Sequence, residues 1–185
     1  MDFETFRRER MAAFIEALEG DRTEEAVEAL FSWLFTFESE ERPHNFLNVA
    51  WMMEAEAFWR SFHKQWSMFD RIPHEDFEEL MIEHREEWRP EFMSAESAAA
   101  YAELPESFVA YRGQSADDPA GLSWTLNRAV AEGFARGHRL IPVNNPVVIE
   151  ATISKAAVAG VFLGREESEI VIFSAREAKD RKTTS

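Results

Sequence analysis

The chain has 185 residues, 45 % of them hydrophobic, with 16 Phe and 6 Trp but no Cys. That length and apolar content suit one domain, or a small core with a second lobe, and argue against disorder except at the ends; the lack of Cys excludes disulfides and thiolate-held zinc. The formal net charge of −15 is unevenly placed: residues 1–104 hold 10 Lys and Arg against 25 Asp and Glu, whereas residues 105–185 hold 10 of each. Such an acidic half repels phosphate backbones, which disfavours nucleic-acid binding there; it suits solubility first and a basic protein partner second. There is no charged-then-apolar leader and no apolar run of about 18 residues, so no signal peptide or membrane span is expected, and the absence of Cys fits a cytoplasmic setting.

The first half has the texture of helices. Residues 3–19 form the first, stopped by Gly20. Thr23 is a suitable N-cap for a second helix reaching about Phe37. Pro43 restarts the chain, and an aromatic stripe follows: Leu47, Trp51, Ala55, Phe58, Trp59, Phe62, Trp66 and Phe69. Spacings of three or four put these residues on one helical face, and ordinary core between helices explains them better than a ligand groove. Pro73 breaks the pattern. A helix over about 74–88 ends before Pro90, and a short alanine-rich one spans about 94–103.

After Pro105 the texture becomes strand-like. Phe108 to Gly113 and Leu122 to Thr125 read as strands. Thr125 can cap a helix from Leu126 to about Arg136 that Gly137 closes. Val147 to Ile153, Val161 to Leu163 and Glu169 to Phe173 complete the strands. The expected division is a helical acidic lobe over 1–104, a compact core over 105–175 and a frayed tail over 176–185. The fold class is therefore α+β.

Three short segments carry chemistry: Tyr111-Arg112-Gly113, Ser123-Trp124-Thr125 and Glu167-Ser168-Glu169. Arg112 ends a strand, and its planar fork matches phosphate oxygens. Gly113, lacking a side chain, lets backbone approach a flat ring. Glu167 and Glu169 share the parity of an extended strand and would then face one pocket. The Ser123 hydroxyl is placed to steady the catalytic carboxylate, and Thr125 to support the strand end. Glu150, on a strand between apolar neighbours, is the rival carboxylate; it has no acidic partner two residues away. His44, His63, His74, His84 and His138 form no H-x-x-x-H pair, so no metal site is expected. There is also no glycine-rich phosphate loop.

The segments VAYRGQ, GLSWTLNRAVAEGFARG and REESEIVIF together resemble the arginine–serine–glutamate class of mono-ADP-ribosyltransferases, which includes cholera-type toxins and phage-encoded transferases. The resemblance covers roughly residues 107–175. It implies a core of two small packed sheets around an NAD⁺ cleft. It also implies roles: Arg112 on the phosphate or ribose, Ser123 supporting the glutamate, Glu169 as catalytic glutamate and Glu167 in acceptor choice. The A-x-x-F-A run from Ala131 to Ala135 is similar to that class as well. In this chain the middle of the serine element is Trp124 and its end Thr125, and only 11 positions separate Arg112 from Ser123. The activity implied is transfer of ADP-ribose from NAD⁺ to a macromolecule, a protein acceptor ahead of a nucleic-acid one, with release of nicotinamide. Hydrolysis of NAD⁺ at the same site is one alternative. A non-catalytic interaction or inhibitor protein working through its acidic half is the other.

Overall fold

The computed structural model describes residues 2–137, 143–164 and 168–184. The chain divides into two compact units, Met1–Ser94 and Ala95–Ser185.

The first unit is helical. It contains α1 (Phe3–Glu19), α2 (Thr23–Leu34), α3 (Arg42–Ala50), α4 (Ala55–Gln65) and α5 (His74–Glu83), with 3-10 turns at Trp66–Met68 and Pro90–Phe92. Asp2 caps α1 through its side chain, and Gly20 receives the chain at the far end. The aromatic stripe is split between two helices. Helix α3 stops at Ala50, and Trp51 lies in the turn, 76 % exposed, its indole N–H donating to the Asn48 carbonyl at 2.9 Å. Phe46, not Leu47 or Trp51, is the ring that α3 sends inward. It packs on Phe58, Phe69 and Phe77 with centroid separations of 6.1, 5.6 and 5.7 Å. Phe62, Trp66 and Phe77 extend the cluster in tilted and edge-on contacts, the geometry that aromatic quadrupoles favour. These rings are fully or nearly fully buried, so the stripe from Phe58 to Phe69 is core, whereas Trp51 is not. Helix α5 also ends earlier than its periodicity suggests, at Glu83, where the His84 carbonyl is taken by the Trp59 indole N–H at 2.9 Å.

The second unit begins with α6 (Ala95–Glu103), followed by β1 (Ser107–Ser115), β2 (Ser123–Thr125), α7 (Arg128–Ala135), β3 (Pro146–Ser154), β4 (Val158–Phe162), β5 (Glu169–Ile172) and β6 (Lys179–Thr184). The mixture of helices and antiparallel strands is α+β. Instead of two separate sheets, the strands form one six-stranded sheet of order β4-β5-β2-β1-β3-β6. Its middle is narrow. Strand β2 has three residues and pairs with β1 through Tyr111↔Thr125 alone, whereas β1 pairs with β3 over nine positions. Two three-stranded halves thus meet at a single register pair.

The tail expected to fray is instead an edge strand. Residues Val148, Ile149, Glu150 and Thr152 of β3 pair with Thr184, Thr183, Lys182 and Lys179 of β6, with an irregularity between Glu150 and Thr152. Every β6 side chain is exposed. A wholly exposed strand has no apolar alternation to read, and lysines on an outer strand also discourage further pairing.

Helix α7 lies against β1 and β3 at very short range, and Gly113 is the reason. A Cβ built on Gly113 would come within 1.9 Å of the Ala131 carbonyl oxygen and 2.6 Å of the Ala135 nitrogen. The room expected for a ring at Gly113 is therefore filled by helix backbone. Small residues at i and i+4 of the helix complete the fit: Ala131 and Ala135 are buried with Val148, and Tyr111 packs against them. We predict that Gly113→Ala destabilises the protein by about 3 kcal/mol, the upper part of the overpacking range, because the clash is with backbone rather than a flexible side chain. Urea unfolding followed by circular dichroism measures it; a loss below 1 kcal/mol contradicts this packing.

Candidate active site

The narrow middle of the sheet is where the three sequence motifs meet. From β1, Arg112 reaches across the junction and donates from Nη1 to the Ser123 carbonyl on β2 at 2.8 Å. Its Nε donates to Gln114 Oε1 at 2.7 Å. On β2, Thr125 stands opposite Glu169 of β5, and Ser123 opposite Val171, so these four residues present one face of that half. The charge of Glu169 acts on Arg112, as does that of Asp118. Burial lowers the guanidinium from its ordinary value to about 10, against those two carboxylates, which raise it. Arg112 is therefore fully cationic at neutral pH. With the folded value below the unfolded one, its burial opposes folding throughout the neutral range, and that cost would be relieved only as pH rises above about 10.

Ser123 meets the arginine through its backbone carbonyl, a contact that its residue type did not announce. Thr125 is buried, and its Oγ1 accepts from the Asn127 N–H at 3.1 Å. The helix cap is Asn127, not Thr125: Asn127 Oδ1 accepts from the Ala129 N–H at 2.9 Å, and α7 starts at Arg128, two positions later than expected. An Asn directly before a helical run is as good a cap as Thr, and it leaves Thr125 to the strand. Trp124 is fully buried, with Nε1 donating to the Gly121 carbonyl at 3.1 Å, so the bulky middle residue of the serine element serves the core.

Glu169 is the first residue of β5 and half-buried. The parity argument linking it to Glu167 assumes an extended backbone at Ser168. Ser168 has φ 44°, in the left-handed region, so the chain is not extended between the two glutamates. Glu167 itself lies outside the described residues. The Ser168 carbonyl accepts from the Leu126 N–H at 3.4 Å, which ties this bend to the end of β2.

Gln114 belongs to the site although no motif named it. It is 6 % exposed and joins Arg112 to the following turn through Nε2, which donates to the Asp118 carbonyl at 2.7 Å. Alternation gives the signal: a residue two positions from a strand arginine shares its face.

Glu150 has a different setting. It is 29 % exposed and lies 3.6 Å from Arg128 and 3.8 Å from Lys182. Arg128 also pairs with Glu132 at 3.2 Å. This is a surface ion-pair group on the face that α7 covers. In the helical unit, an open cleft of about 880 Å³ is lined by Arg10, Arg22, Arg60, Lys64, Glu16 and Glu28 among others. Its charges largely answer one another, with Arg22 on Glu16 and Glu25, Lys64 on Glu28 and Arg60 on Glu56. None of the three motifs lines it.

Among the described residues, no group of three or more His, Asp or Glu is disposed to hold a metal ion, and no helix is long and apolar enough to cross a membrane. No family model matches the chain, and no curated protein or solved structure is significantly similar to it.

The two strand carboxylates are separable by stability. Glu150→Gln removes only exposed ion pairs and is expected to cost under about 1 kcal/mol. Chemical denaturation beside the wild type measures this, and a larger loss would give Glu150 a structural weight that its exposure does not suggest.

Proposed function

We propose that the chain transfers ADP-ribose from NAD⁺ to a macromolecular acceptor, a protein in the first instance, releasing nicotinamide. One observation carries the reading. A strand arginine, a Ser-x-Thr and the last carboxylate of a Glu-x-Glu, separated in sequence, lie at one narrow junction of the sheet, where Arg112 bonds to the Ser123 backbone carbonyl and feels the charge of Glu169, while the Tyr111↔Thr125 register sets the Arg112 side chain on the face opposite the Ser123, Thr125 and Glu169 side chains.

In this reading, Arg112 holds the diphosphate. A guanidinium that stays charged well above neutral pH and is fixed by two hydrogen bonds meets phosphate oxygens without first having to be ordered. The bond that breaks joins the ribose anomeric carbon to the nicotinamide nitrogen, and the bonding pair leaves with nicotinamide, which becomes neutral. Positive charge develops on the sugar. The Glu169 carboxylate, accepting from the ribose 2′-hydroxyl, stabilises that charge; pre-aimed groups of this kind are typically worth on the order of 10²–10³ in rate. The acceptor nucleophile then bonds to the anomeric carbon and gives up its proton. Water in its place makes the reaction a hydrolysis.

Three variants test the roles, read by nicotinamide release and by label transferred from NAD⁺ to protein and nucleic-acid fractions. Glu169→Gln keeps size and loses charge, so both transfer and cleavage are expected to drop at least about 100-fold with NAD⁺ binding kept. Near-normal turnover in that variant removes Glu169 from the chemistry. Arg112→Lys keeps a charge without the fork and is expected to weaken NAD⁺ affinity about 10-fold or more by calorimetry. Glu167→Gln, if Glu167 orients the acceptor, impairs transfer more than hydrolysis; equal losses assign it to NAD⁺ handling.

A further inference from the structure

We propose that Gln114 is a positioning residue: a single side-chain amide that aims Arg112 and ties it to the turn after β1. Its consequence for ligand binding rests on the NAD⁺ reading above; the contacts themselves do not.

A side-chain amide offers one accepting oxygen and two donor hydrogens. Both ends of Gln114 are engaged. The oxygen accepts from Arg112 Nε at 2.7 Å, while the nitrogen donates to the carbonyls of Asp118 at 2.7 Å and Ser115 at 3.1 Å. The reversed amide would set N–H groups against a cation and an oxygen against two carbonyls, so the hydrogen-bond network fixes one orientation. Arg112 is thereby held at two points, Nε toward its own strand and Nη1 toward the Ser123 carbonyl at 2.8 Å. A planar fork gripped at two corners has little rotational freedom left to lose when a ligand arrives. The turn is built into the same device. The Asp118 carbonyl holds Gln114, and the Asp118 charge acts on Arg112. The turn is itself braced, with the Asp117 N–H on Ser115 Oγ at 3.2 Å and Asn145 Nδ2 on Asp117 Oδ2 at 2.8 Å. Movement of the turn is therefore passed to the guanidinium through one amide.

The test uses the full chain and two readouts. Hydrogen exchange at the Arg112 Nε–H, followed by ¹⁵N NMR, reports the grip without any ligand. Calorimetry with NAD⁺ reports its consequence. Gln114→Leu is expected to speed that exchange about 10-fold or more and to weaken NAD⁺ binding about 10-fold, the loss of one hydrogen bond to a charged group. Gln114→Glu keeps an acceptor for Nε but sets its second oxygen against the Asp118 and Ser115 carbonyls, so it is expected to speed exchange, though less than Gln114→Leu; exchange as fast as in Gln114→Leu overturns the role of the Nε acceptor. In an Arg112→Lys background, Gln114→Leu should weaken binding no further, because the amide acts through the arginine. Unchanged exchange in a folded Gln114→Leu protein overturns the grip. Faster exchange with unchanged affinity, or an additive loss in the Arg112→Lys background, overturns its link to binding. Should Gln114→Leu fail to fold, Gln114→Asn takes its place; one methylene short of Arg112, it too must speed exchange or the proposal falls. A wild-type protein that binds no NAD⁺ overturns the NAD⁺ reading, and the exchange comparison still decides whether Gln114 holds Arg112.

Discussion

The sheet of the second unit depends on how Arg112 spans its weakest point. One register pair joins the halves there, so there is little ladder to fix how β1 and β2 lie together. The Arg112–Ser123 bond adds a second tie, from a charged donor to a backbone carbonyl, a contact stronger than a neutral hydrogen bond. The same guanidinium is held against burial by Glu169 and Asp118. A cation stitched into a sheet junction is an expensive structural device, since apolar residues of similar volume would often serve stability as well.

Gly113 and α7 supply the rigidity behind that charge. Because the helix backbone occupies the volume of a missing side chain, β1 cannot move relative to α7 without opening a void or a clash. Arg112 is the neighbour of Gly113, so its backbone is anchored on one side of the strand while its side chain is gripped on the other. Asn127 and Thr125 fix the other strand in a comparable way, one capping α7 and one holding the chain just before it. The junction is narrow, yet both of its strands are braced.

Much of this was legible in the sequence. The bounds of α1 and the strand positions around Arg112, Ser123, Val147 and Glu169 follow from periodicity and from the residues that break it. What escaped has physical causes. Trp51 fits the helical spacing of its neighbours, but a turn places it in solvent, and spacing alone does not distinguish a continuous helix from two in sequence. Strand β6 is exposed along its whole length and carries no apolar alternation. Ser168 takes a left-handed backbone angle that a serine rarely adopts, where the parity of Glu-x-Glu assumes an extended one. Gly113 read as an opening for a ligand because a glycine says only that something comes close, not what. Gln114 is a neutral amide whose role exists only in the partners it joins.

The comparison of Glu150 with Glu169 separates fold from chemistry most clearly. Register places them on one row across the sheet, Glu169 opposite Thr125, Thr125 opposite Tyr111 and Tyr111 opposite Glu150. By strand position alone they are equivalent. Their partners differ. Glu150 has Arg128 and Lys182 beside it at the surface, where charges answer charges at little gain. Glu169 stands at the junction, with Arg112 as its electrostatic counterpart and the bend at Ser168 directly before it. Glu169 and Asp118 both act on the buried guanidinium, whereas Glu150 answers cations at the surface. The arrangement therefore singles out Glu169 by its neighbours and not by its place in the sheet.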